Sequence, residues 1–389
     1  MSAGSRIAFF GSSLVSAYWN GAATYYRGLL RALAARGHRI TFYEPDAFGR
    51  QQHRDMDDPS WATVVVYPAD HEDSALAAVE TARNADVLIK ASGVGVFDTL
   101  LERAVLAGDR SDRLTIFWDV DAPATLDRVA ADPDDPFRAL IPDFDLVLTY
   151  GGGEPVREAY RRLGARECVP VYNALDSSTH FPVPPDPRFA ADLGFLGNRL
   201  PDREARVEEF FLGPARALSE RRFLLGGSGW SDRTLPPNVG YAGHVYTRDH
   251  NAFNSSPRAV LNVNRDSMAR YGFSPPTRVF EAAGAGACVI TDAWAGIELF
   301  LEPEREVIVA RHGQDVADYL SRLNEDQARR VGAAARSRIL AEHTYEHRAE
   351  QVERLLGRSH AGGGPRTPVA RTAVAGPTTV AGPTAGGSR

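Results

Sequence analysis

The sequence predicts an α/β chain of two doubly wound, parallel-sheet domains of similar size. Three observations carry that reading. Short apolar strands alternate with amphipathic helices, the order of parallel crossover units. The alternation stops once, at a proline-crowded segment, and then restarts. A chain of 389 residues is also long for one hydrophobic core.

In the first half, Arg6–Phe10 is a short apolar strand ending at Gly11-Ser12-Ser13. A loop through Tyr18, Trp19, Asn20 and Gly21 leads to a helix over residues 22–36. There Ala22, Tyr26, Leu29, Leu30 and Leu33 recur at helical spacing and Gly37 supplies the stop. Residues 40–43 form the next strand. The pattern continues with helices from Ser74, near 99–106 and over 155–163, and strands at 87–91, 114–118, 146–150 and 169–172. Pro182, Pro184, Pro185 and Pro187 then mark a hinge. Beyond it, strands fit residues 193–196, 223–225, 239–242, 259–263, 288–291 and 307–310. Helices fit 203–218, 277–283, 315–323, 325–340 and 345–356. The expected division is a first domain over 1–175, a linker over 176–192 and a second domain over 193–343. The stretch 359–389 is a near-repeat of Gly, Pro, Ala, Thr and Val that cannot bury enough surface to fold, so disorder is expected.

Composition narrows the function classes. A 43% apolar and 24% charged chain is an ordinary soluble globular protein, and a net charge of −6 offers no basic footprint for nucleic acid. Cys168 and Cys288 belong to no Cys-x-x-Cys or Cys/His cluster, which argues against a disulfide framework and a structural zinc site. Residues 7–19 are apolar enough to imitate a signal peptide, but Gly11, Ser12, Ser13 and Ser16 interrupt them. No stretch has the apolar length to span a bilayer. The expectation is a cytoplasmic protein with no transmembrane segment, no nucleic-acid partner and no bound metal.

The segment 274–292, SPPTRVFEAAGAGACVITD, is the most informative stretch. Ser274 is placed to cap a helix, with Pro275 or Pro276 in its first turn and Thr277 following. Arg278 and Glu281 then share a face near the positive helix end. That arrangement suits a sugar nucleotide, with the dipole and Arg278 for phosphate and Glu281 for ribose hydroxyls. A surface Arg–Glu pair on an ordinary crossover helix fits the pattern equally. In open α/β sheets ligands sit beyond the carboxyl strand ends. Gly197-Asn198-Arg199, Gly227-Ser228, Gly243-His244 and Asn264-Arg265 all fall there in the second half. None is a Walker A loop or a G-x-G-x-x-G turn. On the first domain, Asn20-Gly21 opens a helix toward the same cleft. Asp119 and Asp121 follow another strand and could act as a base or bind acceptor hydroxyls, or Asp121 could simply cap a turn. Lys90 lies in an apolar strand, where it must pair with an acid or reach the cleft. His180 reads as an ordinary polar residue.

These residues resemble the GT-B glycosyltransferases, and within them the CgeB-like spore-maturation group. The match centres on Pro276-Thr277-Arg278-x-Phe280-Glu281-Ala282 and Ala287-Cys288-Val289-Ile290-Thr291-Asp292. Asn20-Gly21, Gly37-His38, Asp119-x-Asp121-x-Pro123-x-Thr125, Pro142-x-Phe144-Asp145, Asn173-x-x-Asp176 and Phe195-x-Gly197-Asn198 add to it, so the likeness spans about 6–356. It implies two Rossmann-like domains facing across a cleft, with the nucleotide sugar on the second and the acceptor mainly on the first. It also implies a final helix, 344–358, returning to the first domain. Glu281 matches the ribose-binding glutamate of retaining members, while Phe273 stands where a preceding glutamate would be. No lysine matches the diphosphate clamp, so Arg199, Arg265 or Arg278 would substitute. The resemblance implies transfer of a sugar from a nucleotide diphosphate to a hydroxyl-bearing acceptor, with no cofactor beyond the donor. A nucleotide-sugar epimerase, or a non-catalytic protein on a degenerate scaffold, are the alternatives.

Overall fold

The computed structural model describes residues 4–18 and 20–361. Two all-parallel sheets organise it. The first contains β1 (Arg6–Phe10), β2 (Arg39–Asp46), β3 (Ala62–Pro68), β4 (Val87–Ala91), β5 (Leu114–Asp119), β6 (Leu146–Thr149) and β7 (Cys168–Pro170). Their order is β3-β2-β1-β4-β5-β6-β7. The second contains β8 (Leu193–Leu196), β9 (Phe223–Gly226), β10 (Val239–Gly243), β11 (Ala259–Asn262), β12 (Val289–Asp292) and β13 (Ile308–Ala310), in the order β10-β9-β8-β11-β12-β13. Parallel pairing demands helices on both faces, so central strands read as unbroken apolar runs. β4 (VLIKA) and β5 (LTIFWD) are buried at every position. Each sheet reverses its winding once, between β1 and β4 and between β8 and β11. A ligand crevice opens at such a reversal.

Several local expectations differ from what forms. β3 was not anticipated. Its Val-Val-Val run pairs in parallel with β2 as the outermost strand, and three of its seven residues are exposed. The single helix expected over 203–218 is three pieces: Pro201–Val207, a π-helical turn Glu208–Leu212 and Gly213–Ala217. Pro214 lacks the N–H that a continuous helix requires there. Cys288 sits just before β12 rather than inside it and, like Cys168, is a buried free thiol. Lys90, fully buried in β4, pairs with Asp98 and lies 3.8 Å from Glu102, so its charge is balanced away from the cleft.

The final helix, Tyr345–Ala361, leaves the second sheet and packs on the first. Tyr345, Ala349, Val352, Leu355 and Leu356 join the same apolar cluster as Phe9, Leu30 and Trp118. The helix carries three residues into the stretch expected to be disordered, and 362–389 lie outside the described residues. Among the described residues no helix is long and apolar enough to cross a membrane.

The two domains also touch directly, through loops. Asn173 Nδ2 donates to the Pro275 carbonyl (3.1 Å), and Gly152 N donates to the Phe273 carbonyl (2.7 Å). Phe273, the residue in place of a glutamate, holds φ +48 with its ring against Gly153. A Cβ on Gly153 would come within 2.5 Å of that ring. The glycine run Gly151-Gly152-Gly153 therefore admits an aromatic pin between the domains.

Docking of the final helix depends on Gly28, in the helix Ala23–Ala35, where an added Cβ would lie 2.2 Å from the Tyr345 ring. Gly28→Ala is expected to destabilise the protein by about 1–3 kcal/mol through overpacking, read as a lower urea midpoint. An unchanged midpoint would contradict this contact.

Candidate active site

The site builds up around Gly197, the residue that follows β8 at the winding reversal of the second sheet. Its carbonyl accepts from Trp230 Nε1 (2.8 Å), and Trp230 is buried, so the loop after β8 is anchored. Gly227, after β9, runs beside it with φ +119. A Cβ there would lie 2.3 Å from the Gly197 carbonyl oxygen, a separation that only glycine allows. Two guanidinium groups close on Gly197 from different helices. A Cβ on Gly197 would sit 2.9 Å from Arg203 Nη1 and 3.0 Å from Arg278 Nη2.

Neither cation has an acidic partner within ion-pair distance among the described residues. Arg278 donates to Asn262 Oδ1 (3.2 Å) at the end of β11 and lies over the Phe195 ring. Arg203 Nε is buried without any hydrogen-bond partner. The nearby Asp292 carboxylate is spent on Arg206 (2.6 Å) and on the Asn264 backbone N–H (3.0 Å). Burial and the adjacent Arg203 hold the Arg278 pKa below its usual value, and burial and Arg265 do the same to Arg203. A guanidinium does not give up its proton at neutral pH. Two such groups side by side make a setting that an anion would stabilise.

Arg203 is the residue the motif reading passed over, and Arg199 is the one it overvalued. Arg199 is held by Glu204 (2.8 Å) and Asp232 (2.9 Å), so its charge is already neutralised. Arg203 directly precedes Glu204, and only the side-chain directions of the helix Pro201–Val207 separate their roles. Arg265 is shared: its Nε donates to Asp202 (2.9 Å), and its Nη1 reaches across the cleft to Asp121 (3.7 Å).

Other sequence candidates fall into place around this centre. The helix bearing Arg278 and Glu281 starts at Thr277, capped by Pro276 in extended conformation with no side-chain cap bond. Ser274 donates instead to the Gly272 carbonyl and caps nothing, and neither proline enters the first turn, because Ser274–Pro276 run on as interdomain backbone. Glu281 lies beside His180, with Oε1 3.9 Å from Nε2, and forms no ion pair with Arg278, although its charge still acts on that guanidinium. Asn198 Oδ1 accepts from Ser228 N, locking two of the glycine-rich loops together. His244 is exposed, 3.4 Å from the Ser228 hydroxyl. Asn264 is buried with its Nδ2 unpartnered.

On the first domain the carboxylates separate by burial. Asp119 is fully buried and accepts from Tyr160 Oη (2.5 Å), Ser92 Oγ (2.7 Å), Thr125 Oγ1 (3.0 Å) and Asp121 N (3.1 Å). Burial pushes its pKa up while those donors pull it down. It holds the turn and offers nothing to an acceptor, which corrects the expectation placed on it. Asp121 is partly exposed; it stands at the N-cap of the helix Ala122–Ala131 without capping it and faces Arg265. Asn20 is likewise internal: it accepts from Ser12 Oγ and donates to the Ser13 and Ser16 carbonyls. The next helix begins at Ala23 without a side-chain cap, so Asn20 shapes the loop and does not open the helix. Gly21 stays exposed.

Asp119→Asn would turn an amide N–H toward groups that already donate. The expected cost is about 1–3 kcal/mol, read as a lower denaturation midpoint, with a smaller loss for Tyr160→Phe. A midpoint equal to wild type would show that Asp119 does not organise this turn.

Comparison with known proteins adds two findings. Residues 203–354 match the family model described as glycosyl transferase-like. Among the curated proteins no sequence matches. The chain is similar in structure to sucrose-phosphate synthase from Thermosynechococcus elongatus, with 16% identity, 92% of this chain and 100% of that chain covered, and a TM-score of 0.67. It is similar to an α-glucosyltransferase solved with UDP and a 13-mer DNA, at 11% identity, 91% and 100% coverage and a TM-score of 0.66. Anabaena HepE in complex with UDP and glucose aligns at 14% identity over 91% of this chain and 100% of that one, with a TM-score of 0.62. The chain has the GT-B fold, and its second half carries a glycosyl transferase-like domain.

Proposed function

We propose that the protein transfers a sugar from a nucleoside-diphosphate donor to a hydroxyl-bearing acceptor. The observation that carries this reading is the Arg203–Arg278 pair at the winding reversal, two cations with no ion-pair partner among the described residues. A diphosphate matches it in charge and in hydrogen-bonding capacity. The family-model match, which begins at Arg203, supports the same class. UDP in the HepE and α-glucosyltransferase complexes makes uridine nucleotides the first donors to try.

In this reading the C1–O bond to the β-phosphate breaks and its electron pair stays on the phosphate oxygen. Arg203 and Arg278 stabilise the charge that gathers there, which is where an oxocarbenium-like transition state needs help. The acceptor oxygen bonds to C1 and its proton passes to Asp121, the exposed carboxylate at the cleft. Arg265, bridging Asp202 and Asp121, couples donor side to acceptor side. Gly197, Gly227 and Thr277 give the diphosphate a close backbone approach, Ser228, His244 and Asn264 line its rim, and Glu281 serves the ribose. Placement in the CgeB-like group rests on the motif over 276–292, and a cytoplasmic setting on two buried free thiols.

Arg203→Met and Arg278→Met should each weaken uridine diphosphate binding by about tenfold or more, and Arg199→Ala by less than about threefold, in calorimetric titrations. Equal losses in all three would remove the special standing of the pair. Incubation with nucleotide sugar alone separates transfer from epimerisation: an epimerised donor formed without acceptor, read by mass analysis and NMR, favours the epimerase.

A further inference from the structure

Glu281, the carboxylate assigned above to the ribose, also belongs to a second cluster, whose two histidines the transfer reaction does not use. His180 comes from the interdomain segment, His250 opens the helix His250–Ser255, and Glu281 lies on the helix Thr277–Gly284. One ligand atom from each lies within 4.8 Å of the others.

The hydrogen bonds around these residues fix where the lone pairs are. Thr179 Oγ1 is within hydrogen-bond distance of both the Asp176 carbonyl (3.2 Å) and His180 Nδ1 (2.9 Å); with its proton on the carbonyl it accepts from Nδ1–H, the tautomer that leaves a lone pair on Nε2. His180 Nε2 is buried without a hydrogen-bond partner, on a residue only 4% exposed. It faces Glu281 Oε1 at 3.9 Å, beyond hydrogen-bond reach. His250 spends its Nε2–H on the Val245 carbonyl (3.3 Å), leaving the lone pair on Nδ1. Arg278, the nearest cation on the same helix, is turned to Asn262 and Phe195. Three groups able to donate electron pairs thus lie within 4.8 Å of one another, one of them the unpartnered His180 Nε2, a set that suits a cation.

We propose that His180, His250 and Glu281 form a divalent transition-metal site of the zinc class, with water completing the coordination. Two imidazoles and one carboxylate from three separate elements are a zinc-type donor set, and the Thr179 contact orients His180 as outer partners of metal-bound imidazoles do. Tetrahedral bonds of about 2.0–2.2 Å place ligand atoms roughly 3.3–3.6 Å apart, so separations of up to 4.8 Å would close by about 1.5 Å at most. The ion would clamp the interdomain segment to the second domain. It would also occupy the carboxylate assigned to ribose, so metal and nucleotide compete. The site goes beyond the metal-free expectation from sequence and does not depend on the transfer reading, because binding of the ion alone reveals it.

The test uses the full chain, stripped with chelator and titrated with zinc chloride alone by calorimetry, and with cobalt(II) chloride by absorption. One equivalent of zinc should bind, and cobalt should develop the visible bands of a low-symmetry nitrogen–oxygen site. His180→Ala and His250→Ala should each weaken zinc binding about tenfold or more, while His71→Ala, at an exposed position, should not. Absence of zinc binding and of cobalt bands in the wild type would overturn the proposal. Binding that survives both substitutions would overturn it too, and would leave a plain His180–Glu281 ion pair. The cobalt spectrum needs no variant, so a substitution that fails to fold does not rescue the idea. Uridine diphosphate binding measured on the stripped protein reports on the transfer reading separately.

Discussion

The structure depends on one electrostatic constraint: two guanidinium groups held beside Gly197 with no carboxylate between them. Removing such cations from water costs several kcal/mol each unless an opposite charge compensates. Under the proposed function, folding of the two domains carries that cost in the free protein and a bound diphosphate would relieve it. The arrangement follows from topology, because the winding reversal between β8 and β11 is where a strand end and a helix start leave room for both side chains.

The chain manages its other charges differently, and the contrast gives the pair its meaning. Lys90, the only lysine in the sequence, is buried against Asp98, so any phosphate contact falls to arginine. Arg206 is matched to Asp292, Arg199 to Glu204 and Asp232, and Arg265 to Asp202. A bidentate guanidinium also suits phosphate oxygens better than a point charge does. Around the cleft the domains meet through Phe273 on the Gly152–Gly153 backbone, Arg270 and Tyr271 on Asp127, and Arg265 toward Asp121. Acceptor-side and donor-side groups are thereby held in register. The aromatic at 273 makes an interdomain contact with the glycine backbone of the first domain.

Much of this was legible in the sequence, and the limits have physical causes. Alternating apolar runs and amphipathic helices identify two parallel-sheet domains because period and burial are local properties. β3 escaped because an edge strand with exposed residues lacks the signature of a central one. The segment 274–282 pointed to the right helix, but Ser274 did not cap it, since two prolines kept the backbone extended until Thr277. The roles of Arg199 and Arg203 could not be read at all. They lie four positions apart near one helix start, and what distinguishes them is Asp232, remote in sequence and adjacent in space. Asp119 and Asp121 show the same: one is enclosed by Ser92, Thr125 and Tyr160, the other left at the rim.

The central claim is most directly tested by a crystal structure of the protein grown with uridine diphosphate. The account predicts diphosphate density between the Arg203 and Arg278 guanidinium groups, beside the Gly197 backbone, within hydrogen-bond distance of both. Phosphates bound elsewhere, or a free cleft at saturating nucleotide with both arginines unmoved, would contradict it.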